Sequence, residues 1–381
     1  MRILIVSDYF YPFLFGGGER RMYEIGKRLA KKHEVHVLTR RLAGSHNYEE
    51  HEGMHIHRIF VPSREITLES FLNGLFFMIG AFLTSLKLGE FDVYAPQQFF
   101  PLPPVWLASK VRKRPIVATI HDVYADGWIQ RYGLKGYLMA FFEKIMLRLS
   151  YTIIVTVSDA SKEKIMAAGV PEKAIKIIPN GVDLAEFEKV RVEKSKKPRI
   201  VYLGRLVEYK HVDDLLRAFS GLNLDAELFV IGEGPERENL KNLARNLGIE
   251  NKVFFMGFVG EHRKIELLKS AHVLALPSTV EGFAIVLIEA MAAGTPVIAA
   301  DIPAVHMSVK DEVTGLFFRP RNVDELKAKL ERLLTDSVLW TKLSRNGYEL
   351  VREKFSWEKI ANEFERTLNE IIAKVEPLRL H

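Results

Sequence analysis

Short β-branched runs alternate with stretches of helical period along this chain, and the alternation occurs twice. Ile3-Leu4-Ile5-Val6 reads as a buried strand, after which Met22, Ile25, Gly26, Leu29 and Ala30 recur at helical spacing. Val35-His36-Val37-Leu38, Ile116 to Ile120 and Ile153 to Val157 continue the series. Between the last two, Leu138, Phe141, Phe142, Ile145 and Leu149 share one helical face. Strands joined by helix-length crossovers pair in parallel, and a parallel sheet needs helices on both faces. The expected class is α/β.

The pattern stops between Glu186 and Pro198, a charged stretch without a sustained apolar face, which reads as a linker. Arg199-Ile200-Val201-Tyr202-Leu203 opens a second series, with further strands at Leu228 to Ile231, Val253 to Met256, Val273 to Leu276 and Val297 to Ala300. The expected domains are 1–185 and 199–356, joined by linker 186–198. A last helix, about Trp357 to Ala373, has no strand after it and can cap either domain. A length of 381 residues suits two cores of ordinary size.

Lysine and arginine number 54 against 48 aspartates and glutamates, a net charge of +6. That excess suits an anionic ligand or an acidic membrane surface, and no basic block interleaved with aromatics points to nucleic acid. The absence of cysteine excludes disulfides and thiolate metal sites. A strand beginning at Arg2 leaves no room for a signal peptide, so the expected location is cytoplasmic. The most apolar stretch, Phe71 to Leu86, is broken by Asn73, Gly74, Thr84 and Ser85 and falls short of the roughly 18 residues of a spanning helix. It reads as a buried helix, with peripheral contact at the inner membrane face as the alternative.

Open parallel sheets bind ligands outside the carboxyl ends of their strands. The unusual loops of this sequence fall there: Gly16-Gly17-Gly18-Glu19, His121-Asp122, Gly204-Arg205, Gly232-Glu233-Gly234, Gly257, and Pro277-Ser278 with Glu281-Gly282-Phe283. Two such edges facing each other would form an interdomain cleft. The triple glycine is either a flexible turn or a close backbone approach to a ligand ahead of a helix, whose amides favour anions. Arg205 and Lys210 are either solubilising surface cations or a pair able to neutralise a diphosphate as it departs. Glu281 in its loop and Glu289 two turns into the next helix can accept hydrogen bonds from separate hydroxyls. A solvated helix explains Glu289 poorly, because Ile285, Val286, Leu287, Ile288, Ala290 and Met291 surround it. His55 and His57 share a strand face near His46 and His51, yet the pattern falls short of a metal site and no metal is expected. Glu143 and Glu163 read as helix surface. Phe99-Phe100-Pro101-Leu102-Pro103-Pro104 reads as a packed loop or an acceptor path.

Taken in order, these pieces resemble the retaining glycosyltransferases of family 4, which have the GT-B fold: two Rossmann-like parallel-sheet domains facing an interdomain cleft. The resemblance rests on Gly-Gly-Gly-Glu, the His121 strand end, Val157-Ser158, Asn180-Gly181-Val182-Asp183, Gly204-Arg205 through Lys210, Gly232-Glu233-Gly234-Pro235 and Gly257. Most specific is Glu-x7-Glu from Glu281 to Glu289, followed by Gly294-Thr295-Pro296-Val297. After that motif the family often continues with paired glycines and a glutamate, where this chain has Asp301-Ile302-Pro303-Ala304-Val305-His306.

The resemblance implies that Arg205 and Lys210 grip the donor diphosphate, helped by backbone near Gly204, Gly234, Gly282 and Phe283. Glu289 would hold ribose hydroxyls and Glu281 donor-sugar hydroxyls. Phe258 and Val259, after Gly257, would lie against the base. His121 would sit near the reacting carbon, and Gly17 with Gly18 near the phosphates. The final helix, 357–381, would cross back onto the N-terminal domain. The expected reaction moves a hexose from a UDP- or GDP-linked donor to an acceptor hydroxyl, in a glycan, a lipid-linked molecule or a small molecule, with retention and without metal or cofactor. A nucleotide-sugar epimerase on a similar fold and a non-catalytic sugar-nucleotide binder are the alternatives. A nicotinamide oxidoreductase is disfavoured because neither its Gly-x-Gly-x-x-Gly fingerprint nor a P-loop is present.

Overall fold

A computed structural model describes residues 1–14, 16–42, 44–61, 71–124, 127–128 and 133–375. The chain forms two compact units, one comprising residues 1–180 with the C-terminal helix from Trp357, the other Gly181–Ser356.

The N-terminal unit runs β1 (Arg2–Val6), α1 (Gly17–Leu29), β2 (Glu34–Arg40), β3 (Tyr48–His51), β4 (Met54–Ile59), α2 (Phe71–Lys87), β5 (Val93–Pro96), α3 (Leu102–Val111), β6 (Val117–Thr119), α4 (Leu134–Leu147), β7 (Ile153–Thr156), α5 (Asp159–Ala167) and β8 (Ile175–Ile177). Strands pair in the order β3-β4-β2-β1-β5, and bridges Tyr94↔Ile116 and Gln97↔Thr119 continue the sheet into β6-β7-β8. Every pairing is parallel except β3 with β4. Ile3 to Val6 are fully buried, as a strand covered on both faces requires. The chain leaves β1 in one direction through α1 and returns in the other through α2, α3, α4 and α5. Right-handed crossovers therefore put α1 on one face and those four helices on the other. The C-terminal helix, Trp357–Val375, lies on α1, where Lys32 and His33 both bond Glu365 at 2.9 Å. Residues 376–381 of the expected final segment lie outside the described residues.

Three expectations need correction here. The apolar stretch at α2 is two-faced: Phe77 and Ala81 are buried against Leu4, Val6 and Leu38, while Leu75, Phe76, Ile79 and Leu83 are exposed. The shared face of α4 is likewise outward at Leu138, Phe141 and Ile145, while Phe142 packs on the core beside the buried Met146 and Leu147. Glu143 is buried rather than at the surface, and its Oε1 accepts the Tyr124 amide at 3.1 Å. Among the described residues no helix is long and apolar enough to cross a membrane.

The histidines of β4 have structural partners: His57 Nε2 lies 2.9 Å from His36 Nδ1, and His55 Nδ1 lies 2.9 Å from the Tyr48 hydroxyl. His51 stacks on Tyr11 with ring centroids 3.7 Å apart. Among the described residues no group of three or more carboxylate and imidazole side chains could hold a metal ion.

The C-terminal unit runs α6 (Leu184–Lys189), β9 (Arg199–Leu203), α7 (Val212–Ser220), β10 (Glu227–Ile231), α8 (Arg237–Asn246), β11 (Val253–Gly257), α9 (Glu261–Ser270), β12 (Val273–Leu276), α10 (Ile285–Ala292), β13 (Val297–Ala300), β14 (Leu316–Phe318), α11 (Val323–Thr335) and α12 (Ser337–Lys354). Its all-parallel sheet has the order β11-β10-β9-β12-β13-β14. The charged stretch read as a linker belongs to this unit. Phe187 and Val190 are buried, and Lys194 Nζ donates to the Ala271 carbonyl at 2.5 Å and to Thr295 Oγ1 at 2.9 Å. Two buried apolar residues and one partly buried lysine hold it against the unit while its other charges face water.

Candidate functional site

Strand order brings the loops of interest side by side in the C-terminal unit. The carboxyl ends of β11, β10, β9 and β12 are consecutive along the sheet, so the loops at Phe258, Gly234, Arg205 and Glu281 form one edge. The chain departs from β9 toward β10 on one side, while β12 lies on the other. Such a switch of direction opens a crevice beyond the strand ends.

Backbone packs directly on backbone along this edge. A Cβ on Gly232, at φ +134°, would lie 1.9 Å from the Gly204 carbonyl oxygen, and one on Gly234 would lie 2.1 Å from that of Leu206. Amides stitch the same loops: Gly204 donates to Ile231, Leu206 to Glu233 and Gly232 to Gly257, at 2.9 to 3.0 Å. The glycines thus let the loops after β9, β10 and β11 lie against one another, which a side chain would prevent.

Onto this platform the 3₁₀ turn Glu208–Lys210 sets Lys210, with Arg205 in the loop before it. Lys210 Nζ donates to Glu281 Oε1 at 2.5 Å, joining the loop after β9 to the loop after β12. Arg205 is exposed and donates to the Tyr209 hydroxyl at 2.7 Å, while its carbonyl accepts from the Tyr202 hydroxyl at 2.9 Å. The loops are braced a second time by His211, whose Nε2 meets Thr279 Oγ1 at 3.0 Å, and by the Thr279 amide donating to the Tyr209 carbonyl at 3.0 Å. His211 occupies the left-handed region, φ 48° and ψ 43°, which costs a non-glycine residue roughly 1–2 kcal/mol. Its Nδ1 faces Arg321, which also pairs with Asp214 at 3.0 Å.

Glu289 sits deeper in the same unit. It faces Lys264 on α9, whose Nζ lies 2.7 Å from its Oε1. Phe283 turns its ring into the core against Phe355, so its backbone is what the loop presents. Ser278 Oγ is buried without a hydrogen-bond partner in the same loop. Phe258 is 85% exposed and Val259 partly buried just past Gly257.

In the N-terminal unit, Gly16 caps α1 while Gly17 and Gly18 form its first turn, one step further into the helix than a preceding loop. A Cβ on Gly18 would lie 3.0 Å from His121 Nε2, so the helix start rests on the imidazole. His121 is fixed by Gln98 Oε1, which accepts its amide at 3.0 Å, and by Gln97 Oε1, 3.3 Å from Nε2. Burial, with a smaller contribution from Arg21, lowers its pKa to about 3. The ring is therefore neutral at ordinary pH. Arg21 itself is fully buried, bonded to the Pro179 carbonyl and to Asn180 Oδ1 at 3.2 Å, and burial lowers its pKa to about 9.

The candidate residues thus group into two sets. Gly204, Arg205, Lys210, Gly234, Gly257, Phe258, Val259, Glu281, Gly282 and Phe283 share one sheet edge with Glu289 beneath it, and Gly17, Gly18 and His121 share another. Sequence reasoning missed Lys264, Tyr209, His211, Thr279 and Arg21. Lys264 carries no signal, because its spacing from Glu261 is that of any solvated helix pair. Arg21 does carry one: it lies four and eight residues before Ile25 and Leu29, on the apolar stripe of α1.

Two family models together span most of the chain: glycosyltransferase family 4 over residues 15–186 and glycosyl transferases group 1 over residues 184–350. An uncharacterized glycosyltransferase of Methanocaldococcus jannaschii is 29% identical over 390 residues, covering 95% of this chain and 96% of that protein. The phosphatidyl-myo-inositol mannosyltransferase of Mycobacterium leprae is 32% identical over 288 residues, covering 73% of each. Among solved structures, Anabaena HepE in complex with UDP and glucose superposes with a TM-score of 0.78 at 20% identity, covering 97% of this chain and 100% of that one.

Proposed function

Because this chain belongs to the family 4 glycosyltransferases and has their GT-B fold, we propose that it moves a hexose from a nucleoside diphosphate to an acceptor hydroxyl with retention of anomeric configuration. The Lys210–Glu281 contact carries this reading, since it holds a cation and a hydroxyl acceptor together at the carboxyl edge of the sheet. An ammonium has three donors, so Lys210 can keep Glu281 while turning another hydrogen to phosphate. Arg205 extends from the same loop with a guanidinium suited to phosphate oxygens. The backbone of Gly282 and Phe283 lies ahead of α10, where helix amides favour anions. Lys264 engages Oε1 of Glu289, and Oε2 is the proposed acceptor for a ribose hydroxyl. Phe258 offers an exposed ring to the base.

In the proposed reaction the bond between the anomeric carbon and the diphosphate oxygen breaks as the acceptor oxygen bonds to that carbon on the same face. The acceptor proton passes to the departing phosphate oxygen, so no side-chain nucleophile is needed. Arg205 and Lys210 stabilise the charge that develops, a role otherwise open to a divalent metal. His121, neutral at its lowered pKa of about 3, serves a sugar hydroxyl as a hydrogen-bond partner.

HepE was solved with UDP and glucose, and the Mycobacterium leprae relative is named for phosphatidyl-myo-inositol. On that basis we favour UDP in the donor, keep GDP on the breadth of the family, and include lipid-linked alcohols among the acceptors; the proposed place of work is the cytoplasm or the inner membrane face. A thermal-shift panel of UDP, GDP, ADP and their hexose conjugates tests the donor reading, because a ligand that binds only the folded chain raises its melting temperature. A selective rise with one nucleoside diphosphate is expected, together with its loss in Arg205→Ala and Lys210→Ala. No rise with any member, or full turnover in both variants, overturns the assignment.

A further inference from the structure

The outer face of the helix layer α2, α3 and α4 is apolar, fringed by cations, and unaccounted for by sugar transfer. Leu75, Phe76, Ile79 and Leu83 project from α2, Leu107 from α3, and Leu134, Tyr137, Leu138, Phe141 and Ile145 from α4; Ile79 is 61%, Phe141 62% and Leu134 86% exposed. These helices form one layer, since all three crossovers run in the same direction and their inner residues share the cores around Phe77, Val105, Leu102 and Met146. Ten large apolar side chains left exposed on one helix layer are more than scattered surface residues and point to an interaction site.

Charge identifies the occupant. Of the residues in these three helices, the only carboxylate is Glu143, and it is buried. Exposed cations lie at the ends of the helices: Lys87 on α2, Lys110 and Lys113 at the end of α3, Lys144 and Arg148 at the end of α4. A second copy of this face would bring like charges together. An anionic lipid surface takes both features at once, accepting apolar side chains below its headgroups and cations among them. We propose that this face docks the enzyme on an anionic membrane, lying on the bilayer without crossing it.

Flotation of the full chain with vesicles tests this without donor or acceptor, so failure here leaves the sugar-transfer reading untouched. Vesicles of phosphatidylcholine mixed with phosphatidylglycerol are compared with phosphatidylcholine alone, at low and high salt. Flotation is expected with the anionic vesicles and should weaken in salt. Ile79→Glu and Phe141→Glu should each reduce binding by about tenfold or more, from lost apolar burial and added repulsion. Val338→Ser, which removes an exposed apolar residue of the other unit, should float like the parent. Circular dichroism confirms that each variant is folded. The proposal fails if the parent does not float with anionic vesicles, or if folded glutamate variants float unchanged. It also fails if the parent self-associates without lipid and the same substitutions abolish that association instead.

Discussion

Lys264 Nζ and Glu289 Oε1 lie 2.7 Å apart between α9 and α10, each side chain belonging to a residue only 9% exposed. A carboxylate at that depth is tolerated because an ammonium from the neighbouring helix meets it.

Removing only one partner should therefore be costly. Lys264→Met leaves Glu289 buried without its counter-charge, and the expected loss is about 3–5 kcal/mol. Lys264→Met/Glu289→Leu should regain most of that stability, since a packed apolar pair avoids the desolvation of both charges. Urea denaturation of the single and double variants measures the difference. If both are equally unstable, the pair is not what the core requires.

Lys210 and Glu281 should separate in kinetics although they touch. Lys210→Ala removes a cation aimed at developing charge, so kcat should fall by about 10²- to 10³-fold. Glu281→Gln keeps a hydrogen-bond acceptor, and its principal effect should be a higher KM for the donor. Steady-state rates with a fixed acceptor distinguish them; equal losses in both parameters for both variants would contradict separate roles.

His211 combines backbone strain with a side-chain brace. Glycine relieves the left-handed cost of roughly 1–2 kcal/mol while deleting the hydrogen bond to Thr279. The melting temperature of His211→Gly should accordingly stay close to that of the parent, whereas kcat should drop about tenfold as Lys210 and the Thr279–Glu281 loop lose alignment. Calorimetry beside turnover reads both. Unchanged turnover would reduce His211 to a surface residue.

Acid should destabilise the N-terminal unit through two imidazoles. Burial lowers His121 to about 3, and burial with the neighbouring His36 and His55 lowers His57 to about 4. An unfolded histidine titrates near about 6.5, so the unfolded chain binds more protons between that value and the folded ones. The stability they contribute is present above about pH 6.5 and is lost as pH falls toward 4 and then 3. His121→Gln should flatten that decline when denaturation is followed from pH 7 to pH 4. Parallel curves for parent and variant would exclude His121 as a source.

Much of this protein was legible along the chain. Fully buried parallel strands must be apolar throughout, which is why Ile3 to Val6 and Val297 to Ala300 stand out, and why the loops at their carboxyl ends could be searched for a site. The strands β3, β5, β8 and β14 were less visible, at three or four residues each, because so short a run carries little periodicity. The Glu-x7-Glu spacing was legible as well, since it lies within one loop and its helix.

Which partner each side chain found was settled by folding. Helical period reveals that α2 and α4 have apolar sides, but it does not say which apolar residues face the sheet. That depends on where neighbouring helices lie, and here they leave Ile79 and Phe141 outside. Lys264 meets Glu289 across 25 positions and Lys210 meets Glu281 across 71, distances over which local sequence carries no information about contact. The alternation of residue types by itself determined two α/β series with their chemistry at strand ends; strand order alone decided which of those ends lie side by side, because pairing in a parallel sheet is made between segments far apart in the chain.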